Sequence, residues 1–327
     1  ILIEKHTMSE NTLKIMQAEI NEIESNIGIN LEQKKKESLT EDELIELGES
    51  PYTSDEETEV IEYIYLEIFN LIDKWIKYKM EKISYLKNVN GILDKCIYGH
   101  KDAKKQISRL VGQWMNGKMS GTCIGFCGPP GVGKTSICKN GLSKCLVDSD
   151  GKQRPFAFLP LGGTSNGSLL EGHHYTYLGS TWGKMVDVLI HSKCMNPIIY
   201  IDELDKVSRT ENGKEIISIL THLTDQSQNS EFNDRYFAGI PLDLSKAIFV
   251  FSYNDASKID RILRDRIHEI TIKSLNKNEK IKIVKHYLLP EIMNMVGFNT
   301  HDIKIKNKDL EFLIDNYTYE AGVRKLN

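Results

Sequence analysis

The chain has 327 residues, of which 40% are apolar and 27% charged, and 42 Lys and Arg against 46 Asp and Glu leave a formal charge of −4. That length suggests two or three structural units of ordinary globular composition, and the weak negative charge argues against passive binding to a phosphate backbone. No apolar run reaches the ~18 residues a spanning helix needs, which excludes membrane insertion, and a chain that begins at Ile1 says nothing about a targeting leader.

In chain order, Leu13, Met16, Ile20, Ile23 and Ile27 repeat at alternating three- and four-residue spacing, which predicts an amphipathic helix or a short coiled coil. A polar stretch follows, with Lys34-Lys35-Lys36 and an acidic run from Glu41 to Glu59 interrupted by Pro51, and it reads as a solvated linker. Ile61, Ile64, Tyr65, Ile68, Ile72, Trp75, Ile76, Ile83 and Leu86 then share one helical face, suited to packing on neighbouring structure or on a sister subunit. No chemistry is visible in residues 1–90, which form a helical region with an acidic linker.

From Gly91 the texture changes. Thr122–Cys127, Phe156–Leu161, Pro197–Ile201, Ala247–Ser252 and Ile267–Ile272 are short and mostly apolar throughout, as strands buried on both faces of a parallel sheet are. Helical stretches separate them, so residues 91–273 are expected to form an α/β sheet with crossover helices. Residues 274–327 return to helix, over Lys277–Leu289, around Lys308–Asn316 and again from about Tyr319, as an incomplete helical lid. The six cysteines (Cys96, Cys123, Cys127, Cys138, Cys145 and Cys194) lack CxxC spacing and a His-x-x-x-His partner. They read as reduced core residues in a reducing compartment, the cytoplasm or an organelle matrix.

The chemistry begins at Gly128-Pro129-Pro130-Gly131-Val132-Gly133-Lys134-Thr135, which matches G-x-x-x-x-G-K-S/T between a predicted strand and a predicted helix. Glycines let backbone N–H groups curl around a phosphate, and the helix N-terminus adds partial positive charge. Lys134 is expected to meet the β- and γ-phosphates of ATP and Thr135 to ligate Mg²⁺. Sixty-eight residues after Lys134, the strand Ile198-Ile199-Tyr200-Ile201 ends in Asp202-Glu203. Asp202 is expected to hold the magnesium through water, and Glu203 to act as general base on the attacking water. The fold expected is that of an α/β P-loop NTPase.

These motifs, GPPGVGKT followed by YIDELDK, resemble an AAA+ ATPase, and further strings narrow the likeness to the ATPase module of Lon-type proteases. Gly172-His173-His174-Tyr175-Thr176-Tyr177-Leu178-Gly179 followed by Gly183-Lys184 is similar to the Lon pattern G-H-x-x-T-Y-x-G-x-x-x-G-K. Asp225-Gln226-Ser227-Gln228-Asn229 with Phe232, Asp234 and Tyr236 resembles D-P-E-Q-N-x-x-F-x-D-x-Y, although its proline is missing. Asp243-Leu244-Ser245 and Glu320-Ala321-Gly322-Val323-Arg324 match D-L-S and E-A-G-V-R. The likeness runs from about Leu93 to the end.

The resemblance implies roles for further residues. Asn254 is sensor 1, orienting the attacking water; Arg324, on a final helix, is sensor 2; and Arg266 is the arginine finger reaching a neighbouring subunit's γ-phosphate. Tyr98 and Gly99 take the adenine side, although Tyr98 could instead be ordinary core. Tyr177 and Leu178 take the place of the pore-loop pair that grips unfolded polypeptide. It further implies a homo-hexameric ring that hydrolyses Mg-ATP between subunits and feeds a peptidase domain outside this chain. No Ser with an activating Lys in that context is present. A remodelling ATPase without peptidase remains the alternative. A nucleic-acid motor ranks third, because residues 173–182 are aromatic where a basic loop would be expected.

Overall fold

The computed structural model describes residues 55–115, 122–147, 151–164, 166–207, 210–299, 303 and 305–326. The repeat from Leu13 to Ile27 and most of the acidic stretch lie outside them. By contacts the chain divides into two units, one of residues 88–114 and 118–327 and the other built on the chain before residue 88. Helix α1, Asp55–Cys96, takes up the last acidic residues of the expected linker and runs on through Gly91. Within residues 70–87 it leaves Ile72, Trp75, Ile76, Met80 and Ile83 exposed, with the Lys79 ammonium 4.9 Å from the Trp75 ring centroid. No helix among the described residues is long and apolar enough to cross a membrane.

The larger unit is built on a five-stranded parallel sheet of β1 (Cys123–Cys127), β2 (Phe156–Pro160), β3 (Ile198–Asp202), β6 (Ile248–Tyr253) and β7 (His268–Thr271), in the order β2-β3-β6-β1-β7. All five coincide with the predicted apolar runs. β4 (Phe232–Asn233) and β5 (Pro241–Leu242) form a separate two-stranded hairpin. Central strand β6 is buried at all six residues and pairs with β1 and β3, in the registers Cys123↔Phe249 and Ile198↔Ile248. Ile199, Ile201, Phe249, Phe251 and Tyr253 belong to one core cluster with Ile216, Ile219, Leu220 and Leu223 of the crossover helix Glu211–Thr224. Each such side chain, taken fully out of water, contributes about 1.5–3 kcal/mol.

The crossovers are helical. α2 (Lys101–Met115) ties to the entry of β1 through Trp114 Nε1, which donates to Thr122 Oγ1 at 3.0 Å. α3 starts at Lys134–Ser136, widens into a π-wound turn at Ile137–Leu142 and ends at Ser143–Cys145. α4 (Ser168–Glu171), α5 (Lys184–Ser192), α6 (Glu211–Thr224) and α7 (Arg261–Asp265) follow. Asp260 starts α7, its carboxylate accepting from Ile262 N at 2.9 Å and Leu263 N at 3.3 Å. All six cysteines carry free thiols, and burial pushes those of Cys123 and Cys145 up to about 12.

Beyond the sheet, α8 (Lys277–Ile283) opens with a capping box, in which Asn276 Oδ1 accepts from Glu279 N at 2.8 Å and Glu279 Oε2 from Asn276 N at 2.9 Å. It continues through the π turn Val284–Leu288 into Leu289–Val296. With α9 (Asn307–Leu313) and its extension Ile314–Thr318 it encloses a small core of Ile281, Val284, Leu310 and Ile314. The helix expected from Tyr319 does not form. Tyr319 sits at φ +38° and closes the preceding turn, and Arg324 opens a short 3-10 turn, Arg324–Leu326. The reason is a long-range contact: a Cβ on Gly322 would stand 2.2 Å from the Gly131 carbonyl, so this segment is committed to the loop after β1.

Candidate active site

The sheet order sets the site. β6 lies between β1 and β3, so Asn254, just past β6, comes out between the loop after β1 and Asp202 at the end of β3. Parallel strands gather ligand-binding loops at this carboxyl edge. Gly128 N donates to Tyr253 O at 3.2 Å, and a side chain at Gly128 would meet the Ile272 carbonyl at 2.2 Å. Gly131 and Gly133 take φ +78° and +93°, a region costly for residues with a Cβ, and they bend the loop into α3.

Lys134 Nζ donates to Gly128 O at 2.6 Å, Tyr253 O at 3.1 Å and Asn254 Oδ1 at 2.6 Å. Burial lowers its pKa, opposed by the charges of Asp202 and Asp205. Thr135 Oγ1 lies 3.2 Å from the Tyr200 hydroxyl, which burial pushes up to about 12 and so keeps protonated. Asp202 Oδ1 accepts from Ser252 Oγ and, at 3.0 Å, from Glu203 N. Glu203 adopts φ +59°, a left-handed conformation worth about 1–2 kcal/mol of strain for a residue with a side chain. Val323 N donates to Gly131 O at 3.1 Å and brings Arg324 to the same place. Pro130, Gly131, Gly133, Lys134, Thr135, Asp202, Glu203, Asn254 and Arg324 thus line one cavity of about 310 Å³. An ammonium, an adjacent hydroxyl and a carboxylate around positive-φ glycines form a donor set that fits a triphosphate with magnesium.

Leu288 and Val323 line this cavity too, and sequence reasoning gave neither a role. It also passed over Asp205, whose Oδ2 accepts from Asn254 N at 3.3 Å while its buried Oδ1 has no partner among the described residues. A third carboxylate in Asp202-Glu203-Leu204-Asp205 was the available signal.

The loop 173–182 projects from a pinched base. A side chain at Gly172 would meet Gly183 N at 2.7 Å and one at Gly183 would meet Leu170 O at 2.1 Å, so only glycines let the two ends close. His173 N donates to Thr181 O at 3.0 Å across that base. Fully buried Asp234 then accepts from Gly183 N at 2.8 Å and Tyr236 N at 2.9 Å, fastening the loop to the β4–β5 connection. Trp182 packs in the same junction, its ring 5.9 Å from that of Tyr236 and 6.1 Å from that of Phe237. At the tip the side chains face solvent, Tyr177 at 70% exposure and Leu178 fully. Asp234→Ala leaves two N–H groups short of an acceptor, at about 1–3 kcal/mol each, and a matching loss of stability is expected in denaturant unfolding.

Residues 124–275 match the profile of the ATPase family associated with various cellular activities (AAA). A Lon protease homolog of Acanthamoeba polyphaga mimivirus is 40% identical over 245 residues, 74% of this chain and 23% of its own. The chain contains a Lon-like AAA+ ATPase module. The Lon protease of Campylobacter concisus (strain 13826) is 40% identical over 218 residues, 67% of this chain and 26% of its own. The mitochondrial Lon protease homolog of Homo sapiens is 34% identical over 253 residues, 77% and 25%. The chain therefore spans about a quarter of the length of the curated relatives it matches.

Not every expected site residue of the Lon-like module lines the cavity described above. Arg266 is held within its own chain, with Nη2 2.9 Å from Asp225 Oδ2 and Nη1 donating to Thr221 O at the end of α6. Arg264 lies 3.5 Å from Glu269. Tyr98 and Gly99 line a second, larger cavity of about 870 Å³ with Lys273, Asn276, Glu279 and Lys282. There Lys282 Nζ donates to the Tyr98 hydroxyl at 3.1 Å and lies 5.4 Å from its ring centroid. His100, at φ +51°, joins the two regions through Nε2, 3.0 Å from Val132 O.

Proposed function

We propose that this chain is the motor portion of a Lon-type machine: it hydrolyses Mg-ATP at subunit interfaces of a homo-hexameric ring and uses the energy to unfold and thread polypeptide toward a peptidase outside the chain. The convergence of Lys134, Thr135, Asp202, Glu203, Asn254 and Arg324 on one cavity carries this reading. Lys134 binds the β- and γ-phosphates, with the loop 128–135 wrapped around them. Thr135 and Asp202 would hold Mg²⁺, which neutralises charge developing on the phosphates. Asn254 orients the attacking water, Glu203 takes its proton, Arg324 contacts the nucleotide in its own chain, and Arg266 belongs to the site of the next subunit. Tyr98 and Gly99 stand on the base side of the nucleotide. The free thiols suit a reducing compartment, cytoplasmic or within an organelle matrix. Magnesium-dependent ATP binding and phosphate release test this reading, and folded protein that takes up no nucleotide with magnesium present would refute it.

Tyr177 and Leu178 are the residues that grip the substrate. An aromatic and an aliphatic side chain on an exposed tip bind by apolar contact that needs no particular partner, which suits a sequence-tolerant grip. Tyr177→Ala is therefore expected to keep ATP turnover and to lose translocation. The measurement is the unfolding rate of a tagged fluorescent substrate beside phosphate release, and unimpaired unfolding removes the loop from the mechanism.

A further inference from the structure

Glu203 is restrained at its backbone and at one carboxylate oxygen, and its other carboxylate oxygen lies close to Gly162. Its N–H donates to Asp202 Oδ1 at 3.0 Å, which ties the backbone to the end of β3. Lys206, three residues on, returns to it twice: its own N–H donates to Glu203 O at 2.9 Å, and its ammonium donates to Glu203 Oε1. The other carboxylate oxygen lies over Gly162, where an added Cβ would stand 2.0 Å from Oε2. The Gly162 turn is fixed in its turn. Leu161 N donates to Asp202 O at 3.1 Å, and Thr164 closes the bend with N–H and hydroxyl donations to Leu161 O at 3.1 and 2.8 Å. The carboxyl ends of the neighbouring strands β2 and β3 therefore carry Gly162 on one side and Asp202, Glu203 and Lys206 on the other.

The Lys206 side chain is 53% exposed, so packing does not explain where it lies. A glutamate has three rotatable side-chain bonds, and an unrestrained one spends most of its time in rotamers useless to a fixed acceptor. Fixing it is where an enzyme gains rate without changing the affinity for substrate. We propose that Lys206 is a positioning residue for ATP hydrolysis, forming with the bare Gly162 backbone a cradle that keeps the Glu203 carboxylate on the cavity wall. The inference rests on Glu203 being the base. Lys206 touches no reacting atom and acts through Glu203 alone.

The test is steady-state ATPase kinetics of Lys206→Met, Lys206→Arg and Gly162→Ala in the intact protein, with binding of a non-hydrolysable ATP analogue measured on each. A base displaced by about 1 Å loses on the order of 10²-fold in rate, so Lys206→Met and Gly162→Ala should lower kcat by about 10- to 100-fold with KM and analogue affinity unchanged. Lys206→Arg, which keeps a cationic donor, should recover most of the loss. In single turnovers on a Glu203→Gln background, Lys206→Met should add nothing, because the group it positions no longer takes a proton. Wild-type kcat in Lys206→Met overturns the proposal, as does an undiminished Lys206→Met loss on that background. Glu203→Gln inactive with Lys206→Met unimpaired removes only the cradle, whereas an active Glu203→Gln removes the base itself. Analogue binding and far-UV circular dichroism identify any variant that has failed to fold.

Discussion

Glu203→Gln is expected to bind Mg-ATP as the parent protein does and to hydrolyse it about 10²–10⁴-fold more slowly, the range over which a positioned general base contributes. The substitution is close to isosteric. Glutamine keeps an oxygen that can accept from the Lys206 ammonium and leaves the backbone bond from Glu203 N to Asp202 Oδ1 in place. Lys134 and Thr135 are untouched, so the groups proposed to bind phosphate and metal keep their geometry. What is lost is the capacity to take a proton from water. Phosphate release in the steady state and titration with a fluorescent nucleotide separate the two effects, and wild-type turnover by the variant would dismiss Glu203 as the base.

A larger loss is expected from Arg266→Ala, about 10³–10⁵-fold in turnover, if its guanidinium completes the site of the adjoining subunit. The structure makes this prediction demanding, because Arg266 also has partners in its own chain, Asp225 and the Thr221 carbonyl. A purely local role would make the variant merely less stable. Mixing distinguishes the two. Arg266→Ala subunits retain Glu203, and Glu203→Gln subunits retain Arg266. In the proposed ring, a mixture would contain interfaces that pair an unaltered Glu203 with an unaltered Arg266, so two inactive preparations should regain hydrolysis when combined. A mixture no more active than its parents would assign Arg266 to its own chain alone.

The sheet was legible because its inner strands β1, β3 and β6 are buried on both faces and so read as unbroken apolar runs, β6 from Ile248 to Tyr253 being the clearest case, whereas the edge strands β2 and β7 are apolar runs only partly buried. β4 and β5 left no such mark, being two residues each and paired only with one another. Lys134, Thr135 and Asp202, which line one cavity, could be singled out from sequence because the motifs that carry them are short contiguous strings. Lys206 was in plain view, but its importance depends on Gly162, forty-four positions earlier, and no local pattern reports that contact. Arg324 was named from its motif, yet its expected helix gave way to a 3-10 turn. Helix propensity around Tyr319 yielded to a contact with a loop nearly two hundred residues away.

That contact has a mechanical consequence. Gly322 meets Gly131 backbone to backbone, with no side chain between them to deform. Close-packed matter of this kind is nearly incompressible, so a few tenths of an ångström gained or lost by the loop cannot be absorbed at the junction. It must pass on to the chain segment that bears Arg324 and, through the bond from Leu275 N to Ala321 O, to the threshold of α8. Two missing methyl groups thus make a stiff pushrod, by which any shift of the loop is expected to reach the segment that bears Arg324.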